Sequence, residues 1–170
     1  MRDLTADEII RLLGLERLEM EGGYYCQSYR STEVIPREAL PPRYKSAKVF
    51  GSAIYYLLTP DQRSAMHRLP TDEIFHFYLG DPVTQLQLRP DGSSEVVQIG
   101  PDIAYGQRLQ VVVPAGTWQG AILSPGGRFA LMGTTMAPGF DYSEYEQGNR
   151  RDLMRRYPDR KNLVEKLTED

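Results

Sequence analysis

A chain of 170 residues can bury one sizeable core, and its 41% hydrophobic and 25% charged residues exclude both a disordered segment and a membrane span. A net charge of −3 argues against a nucleic-acid surface, which needs Lys and Arg concentrated on one face.

The N-terminus lacks the basic, apolar, small-residue order of a signal peptide, and no apolar run approaches membrane-spanning length. Thr5-Ala6-Asp7-Glu8 reads as a capping box, followed by the apolar stripe Ile9, Ile10, Leu12 and Leu13 and a stop at Gly14. A short helix over 5–14 is expected to cover one end of something larger. The single cysteine, Cys26, stands among Tyr24, Tyr25 and Tyr29 with no neighbouring His, so it reads as a structural thiol. With no partner for a disulfide, a cytoplasmic protein is expected. Segment 31–48, with Pro36, Pro41 and Pro42, reads as a long loop or edge excursion.

The middle of the chain is written in strands and turns. Ser52–Thr59 and Glu73–Leu79 are β-branched and aromatic, the first closed by Pro60-Asp61 and the second by Gly80-Asp81-Pro82. Thr84–Arg89 and Ser94–Ile99 flank the turn Pro90-Asp91-Gly92. Further strands are expected at Gln110–Val113, Ala121–Leu123 and Arg128–Thr135, the last two bracketing Ser124-Pro125-Gly126-Gly127. After Pro138-Gly139-Phe140 two short helices are expected, Arg150–Tyr157 and Asp159–Leu167, separated by Pro158. Their Arg150, Arg151, Arg155 and Arg156 are interleaved with Asp152, Asp159 and Glu165, as on a solvated face. Strands about ten residues apart suggest an all-β sandwich or barrel. The expected organisation is one domain over 1–170, with a barrel core of about 20–140 and helical decoration at 5–14 and 150–168.

The two histidines, His67 and His76, fall in one stretch with Glu73. Imidazole and carboxylate serve both as metal ligands and as acid–base groups, so the cluster is a candidate site. Alternation puts Phe75 and Phe77 on the face of Glu73, and Ile74, His76 and Tyr78 on the other. His67, before the Pro70 turn, is therefore the partner expected for Glu73, and His76 is the weaker candidate. The pocket wall is expected to include Phe75, Phe77, and Tyr55 or Tyr56.

These residues resemble the two motifs of the cupin superfamily. In G-x5-H-x-H-x3,4-E-x6-G, His67 takes the first His place, Glu73 the Glu place and Gly80 the closing Gly. The second motif, G-x5-P-x-G-x2-H-x3-N, resembles Gly106 followed, after a longer spacer, by Pro114-Ala115-Gly116-Thr117-Trp118-Gln119. The strings EGGYY, DEIFHFYLGDP, VPAGTWQGA and APGFDY further resemble an uncharacterised cupin group known only as a domain of unknown function.

The resemblance implies a double-stranded β-helix, or jelly-roll barrel, commonly dimeric and similar in shape to sugar-nucleotide epimerases and seed-storage proteins. It also implies Thr117, Trp118 and Gln119 as substrate-binding residues. Leu69, Gln119 and Leu123 stand where the motifs have His, His and Asn, which leaves an incomplete metal set of His67, Glu73 and Gln119. No cofactor is assured, although a divalent metal is admitted. The expected partners are a small-molecule ligand and a second copy of the chain, with no nucleic acid and no membrane. The expected activity is an isomerase or epimerase acting on a small polar, carbohydrate-like metabolite with His67 and Glu73 catalytic. The alternatives are a non-catalytic binding module and a metal-dependent oxygenase or decarboxylase.

Overall fold

The computed structural model describes residues 4–169. Helix α1 (Ala6–Leu13) is followed by strands β1 (Glu16–Arg17), β2 (Tyr24–Arg30), β3 (Val34–Ile35), β4 (Lys48–Val49), β5 (Ser52–Leu58), β6 (Arg63–Arg68) and β7 (Glu73–Gly80). Then come β8 (Val83–Leu88), β9 (Ser94–Ile99), β10 (Gln110–Val113), β11 (Trp118–Leu123), β12 (Ala130–Met136) and β13 (Glu146–Gln147), and the chain closes with helices α2 (Arg150–Arg156) and α3 (Lys161–Leu167).

The strands form a six-stranded sheet, ordered β1-β2-β5-β12-β7-β10, and a five-stranded sheet, ordered β13-β6-β11-β8-β9. Every ladder between these strands is antiparallel, and apart from the β1–β2 and β8–β9 pairs neighbours in space are distant in sequence, as in a jelly roll. Strands β3 and β4 pair separately within the region expected to be a loop.

Period-two alternation decides what lies between the sheets. Tyr56 and Leu58 of β5, Phe75 of β7, Val83 of β8, Val97 and Ile99 of β9 and Met132 of β12 fill one end of the lumen. At about 1.5–3 kcal/mol for each large apolar side chain fully buried, this filling holds the two sheets together. The outer faces are covered in part as well. Ile9 and Leu15 pack on Leu57 and Leu131 of the larger sheet and on Phe129 just ahead of β12, whereas Leu153, Tyr157, Val164 and Leu167 pack on Met66, Leu86 and Leu88 of the smaller one. Double burial explains why β5 reads as a nearly continuous apolar run.

Helix α1 carries the capping box read from the sequence. The Thr5 hydroxyl accepts from the Glu8 amide at 3.3 Å, the Glu8 carboxylate accepts from the Thr5 amide at 3.0 Å, and Gly14 closes the helix at φ 62°. Two long strands went unread, β2 and β6, as did the two-residue strands β1, β3, β4 and β13, and β11 begins at Trp118, three residues before the expected start. No helix among the described residues is long and apolar enough to cross a membrane.

Candidate functional site

A cavity of about 490 Å³ occupies the open end of the lumen, and His67, Glu73 and Glu21 all line it. Strict alternation along β6 would put His67 on the face opposite Ser64. The ladder with β11 steps instead from Ser64 opposite Ala121 to His67 opposite Gln119, so three steps on β6 match two on β11. This bulge turns the imidazole inward. Gly120 makes room for it, since a Cβ there would lie 2.8 Å from Met66 Sδ and 3.0 Å from the Ser64 carbonyl oxygen.

Three contacts then define His67. It is 1% exposed, its ring stacks on Tyr145 at 5.0 Å between centroids, and its Nδ1 lies 2.7 Å from the Ala65 carbonyl oxygen. A carbonyl only accepts, so Nδ1 carries the proton of the neutral ring and Nε2 keeps its lone pair. That Nε2 lies 3.9 Å from Glu21 Oε2.

Glu21 is held by the turn it opens. Its carbonyl accepts from the Ala65 amide at 2.7 Å, and its Oε1 accepts from the Ser64 hydroxyl at 2.6 Å. The next carbonyl, of Gly22, accepts from the Tyr56 hydroxyl at 2.9 Å. Gly22 sits at φ +96°, and a Cβ there would lie 2.1 Å from the Arg63 carbonyl oxygen. Gly22→Ala is therefore expected to destabilise the fold by about 2–4 kcal/mol, because left-handed strain adds to a backbone clash. Chemical unfolding checks this; an unchanged midpoint would mean that the turn can move.

Glu73 opens β7, is 7% exposed, and accepts from the Gln119 side-chain amide at 2.5 Å. Burial raises its pKa, and the nearby Glu21 carboxylate raises it further; His67 and hydrogen bonds from Thr134 and Gln119 pull the other way. The same desolvation and the Glu21 charge push the hydroxyls of Tyr56 and Tyr145 well above the usual phenol value.

The folded state thus binds the Glu73 proton more tightly than the unfolded chain does. The linked stability is complete below the ordinary carboxylate range and is lost as pH rises through the raised value. Glu73→Gln is accordingly expected to raise the melting temperature at about pH 8 and to leave it nearly unchanged at about pH 4. A variant that melts lower than the parent at both values would contradict the assignment.

The other expected wall residues lie elsewhere. Tyr55 points outward beneath α1, edge-on to Tyr78 at 6.0 Å, and Tyr56 takes the inward place because it shares the parity of Ile54 and Leu58. Phe75 and Phe77 do point inward but belong to the packed end of the lumen, so they are core. Trp118 is corrected by parity: with Gln119, Ala121 and Leu123 inward, it faces out, where the Arg68 guanidinium stacks on it at 4.5 Å. Thr117 is buried ahead of β11 and does not line the cavity. Gln119 acts on Glu73 from behind. His76 lies on the outer face, accepting from the Gln110 side-chain amide at Nδ1 and bonded to Thr135 through Nε2, each at 3.1 Å.

The set His67, Glu73 and Gln119 does not fit a metal ion. The Gln119 oxygen is turned toward the Gln85 amide, and its NH2 group is turned toward Glu73, so a donor hydrogen stands where a ligand oxygen would be needed. Among the described residues no group of three or more His, Cys, Asp and Glu side chains is arranged to hold a metal. Sequence reading passed over Glu21, Gln85 and Gln87. Glu21 was visible only as the acidic residue before a Gly-Gly pair, and the glutamines only by sharing the parity of Val83.

A protein-family model described as "Cupin superfamily (DUF985)" matches residues 7–148, which include every cavity residue named above. The Shewanella oneidensis protein SO0799 is 35% identical, with a TM-score of 0.84 over 98% of this chain and 99% of that one. A hypothetical protein from Leishmania major is 27% identical, with a TM-score of 0.86 over 98% and 100%. An uncharacterized protein of Saccharomyces cerevisiae is 28% identical over 134 residues, 74% of this chain; the chain spans 66% of that protein's length. With 7–148 matched and the jelly-roll architecture in place, the chain belongs to the cupin superfamily, in its DUF985 group.

Proposed function

We propose that the cavity binds a small polar, carbohydrate-sized molecule and moves a proton on it, in a reaction of the isomerase or epimerase type. The observation that carries this reading is the fixed tautomer of His67: Nδ1–H is tied to Ala65, and a bare Nε2 stands at the cavity wall. Nε2 takes a proton from the carbon beside a carbonyl, and Glu21, 3.9 Å away, stabilises the imidazolium formed. Glu73, which holds its proton to higher pH than an ordinary carboxyl, supplies a donor to the developing enolate oxygen. An imidazole and a carboxyl on one cavity wall supply the two groups that proton transfer needs, and about 490 Å³ is within the range of small-ligand sites.

The test begins with thermal stabilisation across a panel of aldoses, ketoses and hydroxy acids. A ligand at about a hundred times its Kd adds about 2.7 kcal/mol of stability. Compounds that stabilise are then incubated in heavy water and followed by NMR. Exchange of the hydrogen beside the carbonyl, absent without protein, is the expected result; a stabilising compound recovered with that hydrogen in place reduces the site to binding.

We also propose a homodimer. Strand β10 is an edge of the six-stranded sheet, and its Val112 and Tyr78 on β7 are each about half exposed. Light scattering should give twice the chain mass, and Val112→Lys should lower it; a monomeric parent would reject the assembly. The unpaired Cys26 favours a reducing, cytoplasmic setting.

A further inference from the structure

Two glutamines face the interior of the barrel on β8. Gln85 is 0% and Gln87 2% exposed, at positions that share the inward parity of Val83. Buried amides need partners, and here the partners form one chain. Gln87 Nε2 lies 3.2 Å from the Val112 carbonyl oxygen and 2.9 Å from Gln85 Oε1. Gln85 Nε2 lies 3.4 Å from Gln119 Oε1, and Gln119 Nε2 lies 2.5 Å from Glu73 Oε2. Strand register brings them together, since Gln119 stands opposite Gln87 on one side and opposite His67 on the other.

The chain has one sense. A backbone carbonyl only accepts, so Gln87 must present its NH2 group to Val112. Its second hydrogen then meets the oxygen of Gln85, whose NH2 meets the oxygen of Gln119, whose NH2 meets the carboxyl. Turning any one amide over would set oxygen against oxygen or hydrogen against hydrogen.

We infer that Gln87, Gln85 and Gln119 are positioning residues for Glu73: an oriented amide relay that keeps a donor on Oε2 and so confines the exchangeable proton to Oε1. Oε2 accepts in both protonation states, and the carboxyl does not rotate when the proton leaves. The use of this device rests on the proton-transfer reading of the site; its existence does not. Linked polar groups strengthen one another, so Gln85 and Gln87 act on a carboxyl that neither touches.

The other groups that bear on Glu73 are Glu21 before β2, Tyr56 on β5, His67 on β6 and Thr134 on β12. Their own titration must be followed beside it, which NMR with labelled carboxyl and imidazole groups permits.

In the parent protein the side-chain amide signals of Gln119, Gln85 and Gln87 should all move at the Glu73 midpoint. Gln119→Met removes the donor to the anion and should raise the proton affinity of Glu73 about tenfold. Gln85→Met, which makes no contact with Glu73, should raise it about threefold. Val97→Ala, an inward apolar truncation on β9 outside the relay, should leave it in place. If Gln119→Met does not fold, the parent amide signals and Gln85→Met decide. Still Gln85 and Gln87 signals across the Glu73 titration, or an unmoved midpoint in folded Gln85→Met, would overturn the relay. No substrate enters this experiment, so its failure leaves the proton-transfer reading standing, and failure of the heavy-water exchange leaves the relay standing.

Discussion

His67→Asn is expected to lower hydrogen exchange on a bound substrate by roughly a hundredfold to ten-thousandfold, the usual contribution of a general base. Asn is the informative replacement because its side-chain N–H can take over the bond that Nδ1–H makes to the Ala65 carbonyl, leaving only the basic Nε2 missing. Ligand-induced stabilisation should persist, since Glu21, Glu73 and the rest of the wall are untouched. The measurement is the exchange rate of parent and variant at saturating ligand, with melting curves of both. A rate within tenfold of the parent would mean that another group takes the proton.

The second large effect is on stability, at the buried pair that ties down the segment over the cavity. Lys48 Nζ lies 2.6 Å from Glu144 Oε2, with side chains 2% and 3% exposed. Glu144 also accepts from the Lys45 amide at 3.3 Å, and the ammonium lies 5.6 Å from the centre of the Tyr44 ring. This pair joins β4 to the turn whose neighbours Asp141 and Tyr142 line the cavity and whose Tyr145 stacks on His67. Lys48→Met strands a carboxylate with no counter-charge and is expected to cost about 3–5 kcal/mol. Lys48→Met combined with Glu144→Leu removes both charges and is expected to recover much of that loss. Denaturant midpoints of Lys48→Met, Glu144→Leu and the double variant check it; a double variant as unstable as the two singles summed would show that the two charges are not coupled and would contradict the prediction.

Much of the barrel was legible because its strands announce themselves locally. Ser94–Ile99 and Gln110–Val113 were read with the bounds they have, each delimited by Pro or Gly. The α1 capping box needs only Thr5 and Glu8 three residues apart. The unread strands lack such marks. In β6, Arg63-Ser64-Ala65-Met66-His67-Arg68 has no β-branched or large aromatic residue, and its pairing with β11 and β13 is set by distant sequence. In β2, Tyr24–Arg30 carries mostly polar and aromatic residues, and a register shift between Gln27 and Tyr29 interrupts alternation.

The candidate site was legible by residue type and only partly by geometry. Scarcity of imidazole singled out His67, and period two singled out Glu73, but no local rule reveals the β6 bulge that turns His67 inward. Alternation left Tyr55 and Tyr56 both open and the second motif offered Trp118 together with Gln119; of each pair it is Tyr56 and Gln119 that hold the inward parity. Glu21 escaped because its approach to His67 depends on a loop pinned to Ala65 and Ser64, a contact made across more than forty residues of chain.

NMR of protein carrying isotope-labelled histidine reads the His67 tautomer without any knowledge of the substrate, and the chain's two histidines make the spectrum simple. His67, in its neutral form, is expected to carry its proton on Nδ1 and to have a bare Nε2 whose signal shifts when a stabilising ligand enters the cavity. A neutral His67 protonated on Nε2, or an Nε2 signal indifferent to every such ligand, would contradict that expectation.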